Sequence, residues 1–127
     1  MAGNATDERL HFASKIGKTY LLGVDATARQ TSDALGALPP GKYFIQATAI
    51  TADCWVKATK WVAAQAATVV APATPAAGVS AVANEFPLTI GGIKSFTLHV
   101  RSGVNDRIEA VCGGGATATL AITRMGD

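Results

Sequence analysis

Ser95-Phe-Thr-Leu-His-Val-Arg101 is the stretch whose reading decides the fold. Phe96, Leu98 and Val100 alternate strictly with Ser95, Thr97, His99 and Arg101, and a period of two marks a β-strand with one face turned to a core. Turn residues bound it, Gly91-Gly92 before and Gly103 with Asn105-Asp106 after. Downstream, Arg107 to Cys112 repeats the pattern, with Ile108, Ala110 and Cys112 inward. Gly113-Gly114-Gly115 reads as a tight or bulged connection into Ala116–Thr123. There Ala116, Ala118, Leu120 and Ile122 alternate with threonines, β-formers suited to a solvated sheet face.

The same alternation runs upstream. Phe86-Pro-Leu-Thr-Ile90 precedes the Gly-Gly turn. Asp53 to Thr59 can turn Cys54, Val56 and Ala58 inward and Trp55, Lys57 and Thr59 outward. Lys42 to Thr51 carries Tyr43, Ile45, Ala47 and Ala49 on one side, with Phe44 and Ile50 among polar residues on the other. Apolar residues on both faces suit a central strand, or one whose outer face meets a partner. Tyr20 to Arg29 reads as one strand, with Tyr20, Leu22, Val24, Ala26 and Ala28 opposite Leu21, Asp25, Thr27 and Arg29. A turn-rich stretch then ends in Leu38-Pro39-Pro40-Gly41.

Short strands at this spacing predict an all-β fold, an antiparallel β-sandwich of jelly-roll type. A single domain over 18–127 is expected, with an N-terminal arm over 1–17 and one long Ala/Pro-rich loop over about 62–85. A helix from Trp55 through Thr68 is the competing reading. Ala and Gln favour it, but β-branched residues and the later prolines count against it.

A length of 127 residues suits one core rather than two. Hydrophobic residues make up 49%, enough to fold without disulfides or metal, and charged residues only 16%, against roughly 25% in ordinary soluble domains. Surfaces so poor in charge favour association. The net charge of +2 is spread over isolated residues, with no basic stripe of the kind nucleic acid requires, so no nucleic-acid partner is expected. No apolar run approaches a membrane span, since Gln65, Pro72 and Pro75 interrupt the stretch from Trp61 to Val82, so no membrane partner is expected either. The N-terminus lacks the apolar core of a secretory signal, which places synthesis in the cytoplasm of the producing cell.

The residues that could carry chemistry do not assemble into a constellation. His11 and His99 lie far apart, and no zinc-ligand or calcium-loop spacing occurs. The triple glycine lacks the Lys-Ser/Thr and the helix that would bind a phosphate. Cys54 and Cys112 are expected as buried thiols, with a bridge between them geometrically conceivable. No enzymatic activity, metal or cofactor is therefore expected. Trp55 and Trp61 have three readings: core, protein-interface anchor, or stacking platform for a sugar.

Taken together, several phrases carry a resemblance: "ALGALPPGKYFIQAT", "DCWVKAT", "FPLTIGGIKSFTLHV" and "DRIEAVCGGGATATLAITRM". Their order and spacing over roughly residues 18 to 125 resemble small structural proteins of tailed bacteriophages. The resemblance implies a non-enzymatic virion component, in first place a capsid decoration (cement) protein on the outer capsid surface. Its partners would then be the major capsid protein and other copies of itself, as a trimer. A head-to-tail connector or tail-associated protein is the alternative, and a carbohydrate- or receptor-binding module the second alternative. The N-terminal segment and the uncharged insertion depart from the shorter versions of such proteins and are the expected contact surfaces. Candidate contact residues are Leu10 and Phe12 in the arm, Trp55 and Trp61, and Val69, Val70 and Val79 in the loop.

Overall fold

A computed structural model of the chain describes residues 18–71, 77–78, 85–113 and 117–126. The expected N-terminal arm, with Leu10 and Phe12, lies outside the described residues, as does Val79.

Among the described residues, eight strands form two four-stranded antiparallel sheets. In chain order they are β1 (Thr19–Val24), β2 (Arg29–Gln30), β3 (Gly41–Thr48), β4 (Cys54–Thr59), β5 (Glu85–Leu88), β6 (Ser95–Val100), β7 (Arg107–Cys112) and β8 (Ala118–Gly126). One helical turn, α1 (Ser32–Leu35), follows β2. The front sheet runs β1-β8-β3-β6 and the back sheet β2-β7-β4-β5. The pairings nest: β1 with β8, β2 with β7, β3 with β6, β4 with β5. The all-β sandwich read from periodicity is what the structure has.

Alternation builds the core. Tyr43, Ile45, Leu120, Ile122 and Val100 come from the front sheet and Cys54, Val56, Ile108, Ala110 and Leu88 from the back, all nearly free of solvent. Each large side chain so buried contributes ~1.5–3 kcal/mol. Tyr43 can sit at the centre because its hydroxyl reaches the Pro39 carbonyl at 2.7 Å. The sandwich is closed at its β5/β6 side by Phe86 against Phe96, ring centroids 4.7 Å apart.

Two sequence expectations are corrected. Tyr20 to Arg29 is not one strand. Asp25 takes the Thr27 amide on its side chain at 2.9 Å and is gripped by Arg29 at 2.8 and 3.1 Å. Such a local side-chain turn competes with the ladder, so the chain leaves the front sheet and re-enters the back one. The Asp25 carbonyl already accepts the Cys112 amide, at 2.8 Å. The strand read as Lys42 to Thr51 ends at Thr48, and Ala49, expected on the inward side, is exposed with φ at 49°. The segment after β4 is the loop read from the sequence and not the competing helix, and residues 61–70 lie back on the outer face of the back sheet.

Candidate interaction surface

Strand β7 explains that placement. All six of its residues are buried, although only Ile108, Ala110 and Cys112 face the core. On the other face Arg107 and Glu109, two residues apart and therefore on the same side, are 1% and 0% exposed. Arg107 Nη2 lies 2.8 Å from Glu109 Oε2. Thr59 sits between them, accepting from Arg107 Nε at 2.8 Å and donating to Glu109 Oε2 at 2.6 Å. The Arg107 Nη1 donates to Gln30 Oε1 at 2.9 Å and to the Gln65 carbonyl at 3.3 Å.

The remaining capacity of Glu109 is used on the loop. Its Oε1 accepts the amides of Thr68 and, at 2.9 Å, of Val69, and both carboxylate oxygens lie 3.1 Å from the Thr68 hydroxyl. Gln30 adds a bond from Nε2 to the Gln65 carbonyl at 3.0 Å. Asp106 holds the start of the loop, accepting the Trp61 amide at 2.8 Å. Burial pushes the Glu109 carboxyl upward. The Thr59 hydroxyl, the Thr68 and Val69 amides and the Arg107 charge outweigh it, leaving the group below its ordinary 4.5. Asp106 is held below 3.8 in the same way: burial raises it, and the Trp61 and Gly103 amides more than compensate.

This clamp decides what the loop can offer. Val69 is 3% exposed and is spent on the chain's own packing, so it is withdrawn as a contact residue, whereas its neighbour Val70 is 70% exposed. Trp61 and Trp55 are half-buried. Trp55 stands on the outer face of the back sheet between its cross-strand partners Pro87 and Val111. The structure thus separates the expected contact residues: Val70 is open, Val69 is internal, and the tryptophans are partly covered.

The front sheet is different, because no described residue lies across its outer face. Three cross-strand rows make it up: Leu21, Ala121, Gln46 and Ser95; Thr19, Thr123, Phe44 and Thr97; and Gly23, Thr119 and Thr48. None of these side chains is charged, and among the described residues of this face the ionisable groups are Lys42 and His99, paired at one end. Leu21 is 71% exposed, and Phe44 is half-buried between threonines. At the β1 border the face continues into a groove of about 380 Å³ lined by Thr19–Leu22, Gln30, Thr31 and the exposed Leu35. Leu21 and Phe44 were visible in the sequence as large apolar residues on the polar side of their strands.

A catalytic pairing of Cys112 with His99 is not formed, since His99 points outward from the front sheet while Cys112 is buried against Cys54. Among the described residues no group of three or more His, Cys, Asp or Glu side chains could hold a metal ion. No described helix is long and apolar enough to cross a membrane. Comparison with protein-family models, with curated proteins and with solved structures finds no match to this chain.

Proposed function

We propose that the chain is a non-enzymatic structural protein of a tailed-phage virion that binds and stabilises the capsid shell, with the outer face of the front sheet as its contact surface. The observation that carries the reading is that uncharged face, with Leu21 71% exposed at its centre row. Desolvating hydroxyls, an amide and apolar groups costs far less than desolvating charge, and a twisted sheet offers a broad, pre-formed surface that loses little entropy on binding. The back sheet is already occupied by the chain's own loop, whereas no described residue covers the front one.

Strand order supports the virion reading at the level of fold. The orders β1-β8-β3-β6 and β2-β7-β4-β5 follow when a long hairpin pairing first with last strands is wrapped into two sheets. We read this order as a jelly roll, an architecture shared by viral capsid and lectin domains. Fold alone does not assign function, so the weight rests on the surface and on the phage-protein resemblance.

A protein that binds only assembled shells stabilises them by mass action, and many copies multiply the effect. Shells with and without the protein should therefore differ in heat resistance, and Leu21→Asp should abolish the difference. Unchanged resistance on adding the wild-type protein overturns the reading. Many copies per particle support decoration, and a few copies support a connector instead.

A further inference from the structure

Cys54 opens β4, Cys112 closes β7, and the two are register partners across the ladder. The Cys112 amide goes to the Asp25 carbonyl at 2.8 Å, and the Gly113 amide reaches the Asp53 carbonyl at 3.3 Å, bracketing the pair. That is the pattern of a non-hydrogen-bonded pair, where facing Cα atoms stand about 4.5 Å apart and side chains come closest. This separation lies at the near end of the range a disulfide spans, roughly 4.4–6.8 Å. The Sγ atoms are already 3.1 Å apart, pointing at each other in the core.

We propose that Cys54 and Cys112 are a disulfide site, reduced when the chain is made and closed by oxidation once it leaves a reducing compartment. The oxidant is a small-molecule disulfide such as oxidised glutathione. One thiol loses its proton and attacks it, giving a mixed disulfide and one released glutathione thiolate. The second cysteine then displaces the other glutathione. Two protein thiols are oxidised to one disulfide, and the oxidant is reduced to two thiols.

Burial, then the Cys112 thiol beside it, pushes Cys54 up to about 12, and both residues are essentially closed to solvent. The folded protein therefore reacts slowly, through openings at this end of the back sheet, and the unfolded or refolding chain reacts fast. The bridge encloses everything from β4 to β7, including the loop held by Glu109. Long enclosed loops restrict the unfolded chain most.

The assignment does not rest on capsid binding, and its test needs only the chain. The full-length protein is unfolded under reducing conditions and refolded with reduced and oxidised glutathione. Intact mass, free-thiol titration and thermal melting are then measured. Expected are a monomer lighter by two hydrogens, no free thiol, and a melting temperature higher by on the order of 10 °C. Cys54→Ala should form no intramolecular bridge and show no such gain. Should that variant fail to fold, the mass and thiol count of the unmodified chain still decide. Two free thiols after refolding, disulfide-linked dimers, or an oxidised form that melts lower than the reduced one would each overturn the assignment.

Discussion

Arg107 and Glu109 stand side by side on β7, Nη2 to Oε2 at 2.8 Å, with neither side chain reaching solvent. Removing one partner strands the other, which costs about 3–5 kcal/mol for a buried pair, a large share of the roughly 5–15 kcal/mol that holds a domain folded. Both Glu109→Gln and Arg107→Met should lose stability on that scale in urea denaturation. An ordinary buried pair is often replaced by apolar residues without loss. Here the double variant Arg107→Met, Glu109→Leu should stay at least ~2 kcal/mol below wild type, because the Thr68 and Val69 amides also lose their acceptor. A double variant as stable as wild type would show that the carboxylate does not hold the loop.

Acid should release the same loop. The folded Glu109 and Asp106 carboxyls titrate below their ordinary 4.5 and 3.8. Groups whose folded values are depressed contribute stability that is complete above the unfolded value and disappears as pH falls through the folded one. Stability should therefore be level above about pH 5 and decline below the ordinary carboxylate range. Amide exchange, corrected for its intrinsic pH dependence, should rise at Thr68 and Val69 before it rises in β3 or β8. Simultaneous loss of protection everywhere would contradict a local release.

On the front sheet, Leu21→Asp should leave thermal stability within about 0.5 kcal/mol of wild type, as exposed positions do, while eliminating binding to shells. Val70→Asp, equally exposed at 70% but on the loop, is the matched control and should keep binding. If Val70→Asp abolishes binding and Leu21→Asp does not, the contact surface is the loop.

The strands were legible because alternation is a local property, and the inward sets of β3, β4, β6, β7 and β8 follow from it residue by residue. The outward positions were not, because what covers them is decided at long range. Arg107 and Glu109 read as an ordinary solvated face until Thr68 and Val69, some 40 residues earlier, are seen to lie on them. One clue was present: an uncharged stretch beginning at Trp61 has few groups of its own to satisfy its backbone, so its amides need acceptors elsewhere. The break at Asp25 was missed for the opposite reason. Period-two spacing continues through it, and only the side-chain turn with Thr27 and Arg29 reveals that the chain has changed sheets.

Asp106 gives the loop its other anchor, and its chemistry predicts a spectroscopic outcome. Oδ1 accepts the Trp61 amide at 2.8 Å, Oδ2 accepts the Gly103 amide at 2.9 Å, and its own carbonyl accepts the Leu38 amide at 2.8 Å. Asp106→Asn keeps the backbone bond and one side-chain acceptor but turns an NH2 group toward an amide that needs an acceptor. Asp106→Ala loses both acceptors. Trp61 is half-buried with its amide held by this carboxylate, and its indole should become wetter as the anchor weakens. In a Trp55→Phe background, where Trp61 is the one tryptophan left, its emission should shift to longer wavelength modestly in Asn and further in Ala. Stability should fall by about 1–3 kcal/mol for each unsatisfied buried donor. An unshifted spectrum in Asp106→Ala, with the fold intact by circular dichroism, would mean that packing rather than this carboxylate keeps Trp61 in place.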